Sequence, residues 1–291
     1  MSLPSTNKLA PAVLLTFDVS PSAPLNKFSL VNEGIECPHP TAMAESIYIE
    51  TPSSSVREVI DSAEALLGLL KQDNGGSDAH LWFESSRLVK KIEDGIKEET
   101  DIALPFGTFL LDDFGRTPRG DPIYRPKDKI HLSATPLVLA AVEGRDGVIS
   151  ILLNFSDIDE QPVESSVTAL FMALLFGHAK TATLLLDRGA QPGACSRCLH
   201  AAARSGLDNI ITRLVTKFRA NPNEQDIDGA TPVVYALQLP EDRAKITIMR
   251  LRELGALGDL DLEDSWTFEQ IARAMGKESL ASIFKSSLAS E

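Results

Sequence analysis

Cysteine is scarce in this chain of 291 residues, with Cys37, Cys195 and Cys198 the full complement. Three thiols are too few for a disulfide framework. No apolar run approaches the roughly 18 residues that a membrane span requires. The amino terminus has neither the basic region nor the apolar core of a secretory leader, since 9–17 is short and interrupted by Pro11 and Thr16. Aromatic residues make up 6%, a level that suits helices packed through Leu and Ala. Basic excess is also missing. A net charge of -13 excludes a counterion-release surface for nucleic acid or an anionic membrane. No G-x-S-x-G elbow, phosphate-binding glycine loop, H-E-x-x-H or kinase signature occurs, so no cofactor is expected. These absences describe a reduced cytoplasmic or nuclear protein.

What is present is globular: 43% hydrophobic residues and a mean hydropathy of -0.02. The length allows one large domain or two ordinary ones. Acidity is spread evenly, with a net -7 over 1–130 and -6 over 131–291.

Residues 1–130 carry no repeat. Seven prolines within 1–55 preclude long regular elements, yet Val13, Leu14, Leu15, Phe17, Phe28 and Ile35 are more apolar than a free linker. An extended strap packed on the rest of the chain is expected. A helical hairpin follows over 56–97: Ser55 and Glu58 fit a capping box, Val59, Ile60, Ala63, Leu66 and Leu67 keep helical spacing, and Gly75-Gly76 breaks the run. Residues 105–130 read as a loop, basic for this protein, with Arg116, Arg119, Arg125, Lys127 and Lys129. It is either a solvated connector or an interaction loop.

From residue 131 the chain repeats itself. Residues 135–144 read T-P-L-V-L-A-A-V-E-G and 168–177 read T-A-L-F-M-A-L-L-F-G, a period of 33. Variants follow at 199–206 (L-H-A-A-A-R-S-G), 226–232 (D-I-D-G-A-T-P) and 266–276 (W-T-F-E-Q-I-A-R-A-M-G). The phrase T-P-L-x-x-A at this period resembles the ankyrin repeat, over about 130–285. The divergent units and long leader are similar to fungal ankyrin proteins. The resemblance implies an all-α solenoid of about five helix-turn-helix repeats, from 131 to 291, with the partly helical leader as its amino-terminal cap. Residues 238–242 replace the usual Gly-His in the fourth unit, and its first helix is expected to be extended.

The resemblance also implies a function: a non-catalytic adaptor that grips another protein with its fingers and concave groove. The groove row is then Val142 and Glu143, Leu175 and Phe176, Arg204 and Ser205, Gln238 and Leu239, and Ala274 and Met275. Leu175 and Phe176 are large apolar residues at positions expected to face solvent, so a partner or the chain's own leader must cover them. Phe176→Asp is expected to abolish partner binding without unfolding. The finger tips are acidic: Asp157, Asp159, Glu160, Asp226, Asp228, Asp261, Glu263 and Asp264. They are solvated tips or contacts for a basic partner, and lack calcium-loop spacing.

Cys195-x-x-Cys198, with Cys37 and His39 from the leader, has zinc-ligand spacing. Against a metal, His200 falls on the His of the family's T-P-L-H phrase, a structural position, which leaves the thiols inert. The alternative function is an enzyme or small-ligand protein with a pocket between leader and groove.

Overall fold

The computed structural model describes residues 53–72, 79–104, 114–116, 122–124, 130–163, 165, 167–194, 197–226, 229–257 and 267–288. The proline-rich strap at 1–52 lies outside them. The described chain is mostly helical.

Helix α1 (Ser54–Gln72) packs against α2 (Ala79–Gly95). Val56, Val59, Ile60, Ala63 and Leu66 recur every three or four residues, which lines one face of α1 and buries it with Leu88 and Ile92. The helices are close: a Cβ on Gly95 would lie 2.5 Å from Val59 Cγ2. Glu58, read as the capping partner of Ser55, pairs instead with Lys91 of α2. A charged donor held across the hairpin competes well with a backbone N–H at the helix start.

Four short strands follow. Strand β1 (Thr100–Leu104) pairs antiparallel with β4 (Ile130–Ala134), with Ile102 opposite Leu132 and Leu104 opposite Ile130. Ile102 and Leu132 are buried and Asp101 and His131 exposed, the alternation that a two-faced strand imposes. Between them β2 (Phe114–Arg116) and β3 (Pro122–Tyr124) form a second antiparallel hairpin. The stretch expected to be plain loop thus contains a hairpin. Its strands are three residues each, too short to leave a periodic pattern.

Five helical pairs come next: α3 (Pro136–Val142) with α4 (Asp146–Leu152), α5 (Ala169–Leu175) with α6 (Ala179–Asp187), and α7 (Cys198–Arg204) with α8 (Asp208–Thr216). Then α9 (Pro232–Ala236) pairs with α10 (Glu241–Glu253), and α11 (Phe268–Ala274) with α12 (Glu278–Leu288). Helices α3, α5, α7 and α9 pack side by side as an inner row, and Ala140, Ala141, Ala173, Ala201, Ala202, Ala203 and Ala236 are buried in it. Small side chains let the helix axes approach. Helix α1 packs on α4 and α3, so the helical hairpin sits on the first pair. Arg57 and Arg145 both bind Glu143, and Arg145 also reaches Glu64, which ties the hairpin to that pair.

The expected extension of the fourth inner helix is absent. Helix α9 has five residues and α10 has thirteen. Leu239 precedes Pro240, and the proline ring disfavours helical geometry at the residue before it. The chain therefore leaves α9 early, and Pro240 starts the next helix instead.

Candidate interaction surface

The inner row ends in carbonyls that its own helices cannot satisfy. Each following layer supplies a side chain for them. His178 Nε2 meets Val142 O at 2.8 Å, and Ser205 Oγ donates to Leu175 O at 2.9 Å. Arg243 donates to Gly206 O at 2.7 Å, and Lys277 Nζ donates to Leu237 O and Leu239 O. Gly144, at φ 66°, makes room for the first of these joints: a Cβ there would lie 2.7 Å from His178 Nδ1.

The outer helices repeat a second joint. Thr181 Oγ1 donates to Asp146 Oδ1 at 2.5 Å and Thr247 Oγ1 to Asp208 Oδ1 at 2.8 Å, while Ser279 donates to Glu241. Each acid lies in the first turn of its outer helix, where the helix dipole favours a negative charge. The Ser279 hydrogen bond, with Lys277 nearby, holds the Glu241 carboxyl below its usual range.

This geometry corrects the sequence reading of the groove row. Leu175 and Phe176 are not open to solvent but 3% and 2% exposed. Val142, Arg204, Ser205, Gln238 and Leu239 are also buried. Glu143, Ala274 and Met275 are half-buried, and Glu143 is held by Arg57 and Arg145. The helix-ending positions are where layers join, so most of their surface is spent internally. Phe176→Asp would bury an unpaired charge and cannot be a benign binding mutation.

The acidic fingers are exposed at Asp157 and half-buried at Asp159, Glu160 and Asp226, and they make hydrogen bonds or ion pairs of their own. Asp159 accepts the backbone N–H of Gln191 with both oxygens, at 3.0 and 3.1 Å. Partial burial raises the Asp159 carboxyl above its ordinary value, the Gln191 N–H opposes that, and neighbouring Asp157 adds to it. Asp157 accepts the Asp159 N–H at 3.0 Å. Glu160 pairs with Lys97 at 2.6 Å. Asp226 accepts from the Ala230 N–H at 2.8 Å and the Tyr235 hydroxyl at 2.7 Å. Asp157 and Asp226 fold their own fingers, Asp159 brackets the next layer, and Glu160 ties its finger to Lys97. The same bracket recurs with amides: Asn223 Oδ1 accepts the Leu257 N–H at 2.8 Å, and Asn221 Oδ1 accepts the Asn223 N–H at 3.0 Å. The matching D-x-D and N-x-N spacing at 157–159 and 221–223 was the signal for this role. Asp228, Asp261, Glu263 and Asp264 lie outside the described residues.

Of the proposed zinc ligands, Cys37, His39 and Cys195 also lie outside them. Cys198 is buried. His200 points Nε2 at Glu224 O and Ala230 O, at 3.0 and 3.1 Å, and stacks edge-on against Tyr235. Its Nδ1 is buried and unpartnered. Burial pushes the His200 imidazole below its ordinary value and Arg197 adds to that, while Asp226 and the two carbonyls pull the other way. Among the described residues no group of three or more His, Cys, Asp and Glu could hold a metal.

No family model matches the chain. Part of it does have curated relatives. Over 40% of its length, the chain is similar to an ankyrin-repeat protein. That relative, the "Ankyrin repeat and KH domain-containing protein mask-1" of Caenorhabditis elegans, is 30% identical over 122 residues, 4% of its own length. Alpha-latrotoxin-Lhe1a of Latrodectus hesperus is 30% identical over 106 residues, covering 34% of this chain and 7% of the toxin. The "Inactive serine/threonine-protein kinase TEX14" of Mus musculus is 36% identical over 83 residues, covering 26% of this chain and 6% of the relative. The chain spans less than a tenth of the length of each of these proteins.

A pocket between leader and groove was the alternative site. One recess among the described residues lies elsewhere, on the helical hairpin, lined by Ser54, Arg57, Glu58, Asp61, Ser62, Leu88 and Lys91. It is open and largely charged, with the Lys91–Glu58 pair across it. Among the described residues no helix is long and apolar enough to cross a membrane.

Proposed function

We propose that the five helical pairs form an ankyrin-repeat solenoid and that the chain is a non-catalytic protein-interaction module. The observation that supports this best is the inner joint, in which a side chain of one layer closes the last carbonyls of the layer before it, four times over. Stability built from nearest-neighbour joints leaves the outward surface free to vary with the partner. The weak similarity to an ankyrin-repeat protein agrees with this reading.

The partner is another protein, and the net charge of -13 favours a basic one over nucleic acid or an anionic membrane. Glu143, Ala274 and Met275 and the tips at Asp228, Asp261, Glu263 and Asp264 are the proposed contacts that remain from the groove and finger reading. The cytoplasm or nucleus is the proposed setting.

The test is cross-linking of the full chain in an extract of its native host, with the cross-linked residues identified. Protein cross-links concentrated on the five layers support an interaction module. Cross-links confined to 53–104, or turnover of a small molecule with no protein retained, would overturn it.

A further inference from the structure

Basic residues are not spread evenly over the five layers. The third pair and its exit, 197–219, hold five Lys and Arg against one Asp, in a chain of net -13. Three of the five, Arg213, Lys217 and Arg219, gather at the end of α8. Arg213 bonds Asp187 at 2.6 Å, which brings the last turn of α8 beside the end of α6. Asn223 donates to Gly255 O at 2.9 Å, which brings the exit of α8 beside the exit of α10. Arg188 at the end of α6 and Arg250 in the last turn of α10 extend the row on either side.

The dipole of a helix favours cations at its carboxyl end, and that covers part of the pattern. It does not cover Arg219, which lies beyond the last turn, and α4 ends with no cation at all. Arg219 adopts φ 59°, a left-handed backbone disfavoured for any residue with a Cβ. In the second, third and fourth layers an alanine N–H closes the outer helix: Ala190 to Leu185 O, Ala220 to Leu214 O, and Ala256 to Leu251 O. The residue before that alanine is Gly189 at φ 103°, Arg219, and Gly255 at φ 99°. Arginine therefore stands where both neighbouring layers use glycine. Arg188, Lys217, Arg219 and Arg250 are exposed. Among the described residues no carboxylate pairs with Arg188, Lys217 or Arg219, and the acids of the strip, Asp187 and Glu253, are held by Arg213 and Arg250. Arg213 and Lys217 also lie over the half-buried Phe218 ring, at 5.9 and 5.5 Å from its centroid.

We propose that this strip is a docking surface for an acidic, extended segment of another protein. Charge complementarity names the occupant: exposed cations in excess, on a chain whose overall charge repels anions. Helix spacing sets its length. Two helix-to-helix intervals come to about 16–20 Å, which about five or six extended residues span. A nucleic acid would run on past the strip and bring phosphates against a repeat region of net -6, so the short peptide fits better. The proposal rests on the interaction-module reading and adds a partner class opposite in charge to the one that the whole chain favours.

The probe is a fluorescently labelled peptide of alternating Glu and Ser, long enough to cross the strip, with Gln in place of Glu as the control. Anisotropy follows its binding to the full chain. The Glu peptide is expected to bind and the Gln peptide not to, with affinity falling as added salt screens the exposed charges. Lys217→Glu combined with Arg219→Glu should weaken binding at least about tenfold. Arg219→Gly separates docking from folding. It should weaken binding by roughly twofold to fivefold, while the urea midpoint stays at or above the parent's, because glycine accepts that backbone. No preference for Glu over Gln, or unchanged binding by both variants, overturns the proposal. Tighter binding of an oligothymidylate of equal charge would assign the strip to nucleic acid and overturn it too. Protein cross-links on the layers without peptide binding would remove the strip and leave the interaction module standing; peptide binding without protein cross-links would do the reverse.

Discussion

At the scale of single residues, burial decides what Phe176 does. A Phe three residues before a new helix, in a row that an ankyrin-like pattern leaves open, reads as a binding anchor. At 2% exposure it is a core side chain. Phe176→Ala is expected to cost about 3–4 kcal/mol of stability through lost contacts and the cavity left behind. Denaturant unfolding of the full chain measures this. A variant as stable as the parent would return Phe176 to an open surface. His200 gives a pH-dependent counterpart. The unfolded imidazole takes up a proton near pH 6.5, and the buried one does so only at lower pH. Stability from this site is therefore complete above about pH 6.5 and declines as pH falls below it, because the unfolded state binds the extra proton. His200→Gln keeps a donor for the Glu224 and Ala230 carbonyls and does not titrate. Its urea midpoint should fall less than the parent's between pH 7.5 and 5.5; an equal fall would place the acid sensitivity elsewhere.

Elements were legible where local chemistry repeats. Thr135, Thr168 and Thr267 open their helices by accepting the N–H of Val138, Phe171 and Gln270. A threonine before an apolar run marks such a start in sequence, and glycine at the helix end marks the stop. What could not be read was who answers the open carbonyls. That role is filled by His178, Ser205, Arg243 and Lys277, four different side chains at shifting offsets. The strands had a faint signal in the alternation of Ile130, Leu132 and Ala134 with His131 and Ser133. Thr231 opens α9 in the same extended conformation as the other caps, yet its hydroxyl is buried without a partner. Two isosteric substitutions separate the cases. Thr168→Val removes a cap and should cost about 1 kcal/mol. Thr231→Val removes only a buried unpaired hydroxyl and should be neutral or stabilising. Denaturation midpoints of both variants check this, and equal losses would mean that Thr231 also caps its helix.

For the whole molecule, the joints imply a chain of neighbours rather than one indivisible core. Each layer is fastened to the next through the inner carbonyls, and three of the four junctions add an outer acid-to-hydroxyl pair, so local damage should stay local. The last layer offers the cleanest trial. Helix α11 is held less by its inner neighbour than the earlier layers are, and Lys277, which starts the final outer helix, donates to both Leu237 and Leu239. Lys277→Met keeps the aliphatic stem and removes the charged donor. Hydrogen bonds of that kind contribute about 1.5–3 kcal/mol. Amide exchange in α11 and α12 should quicken by about tenfold to a hundredfold, in line with that range. Exchange in α3 and α4, four layers away, should not change. A uniform rise across all five pairs would show a single cooperative unit, and partner binding at one end would then be felt at the other through the fold itself.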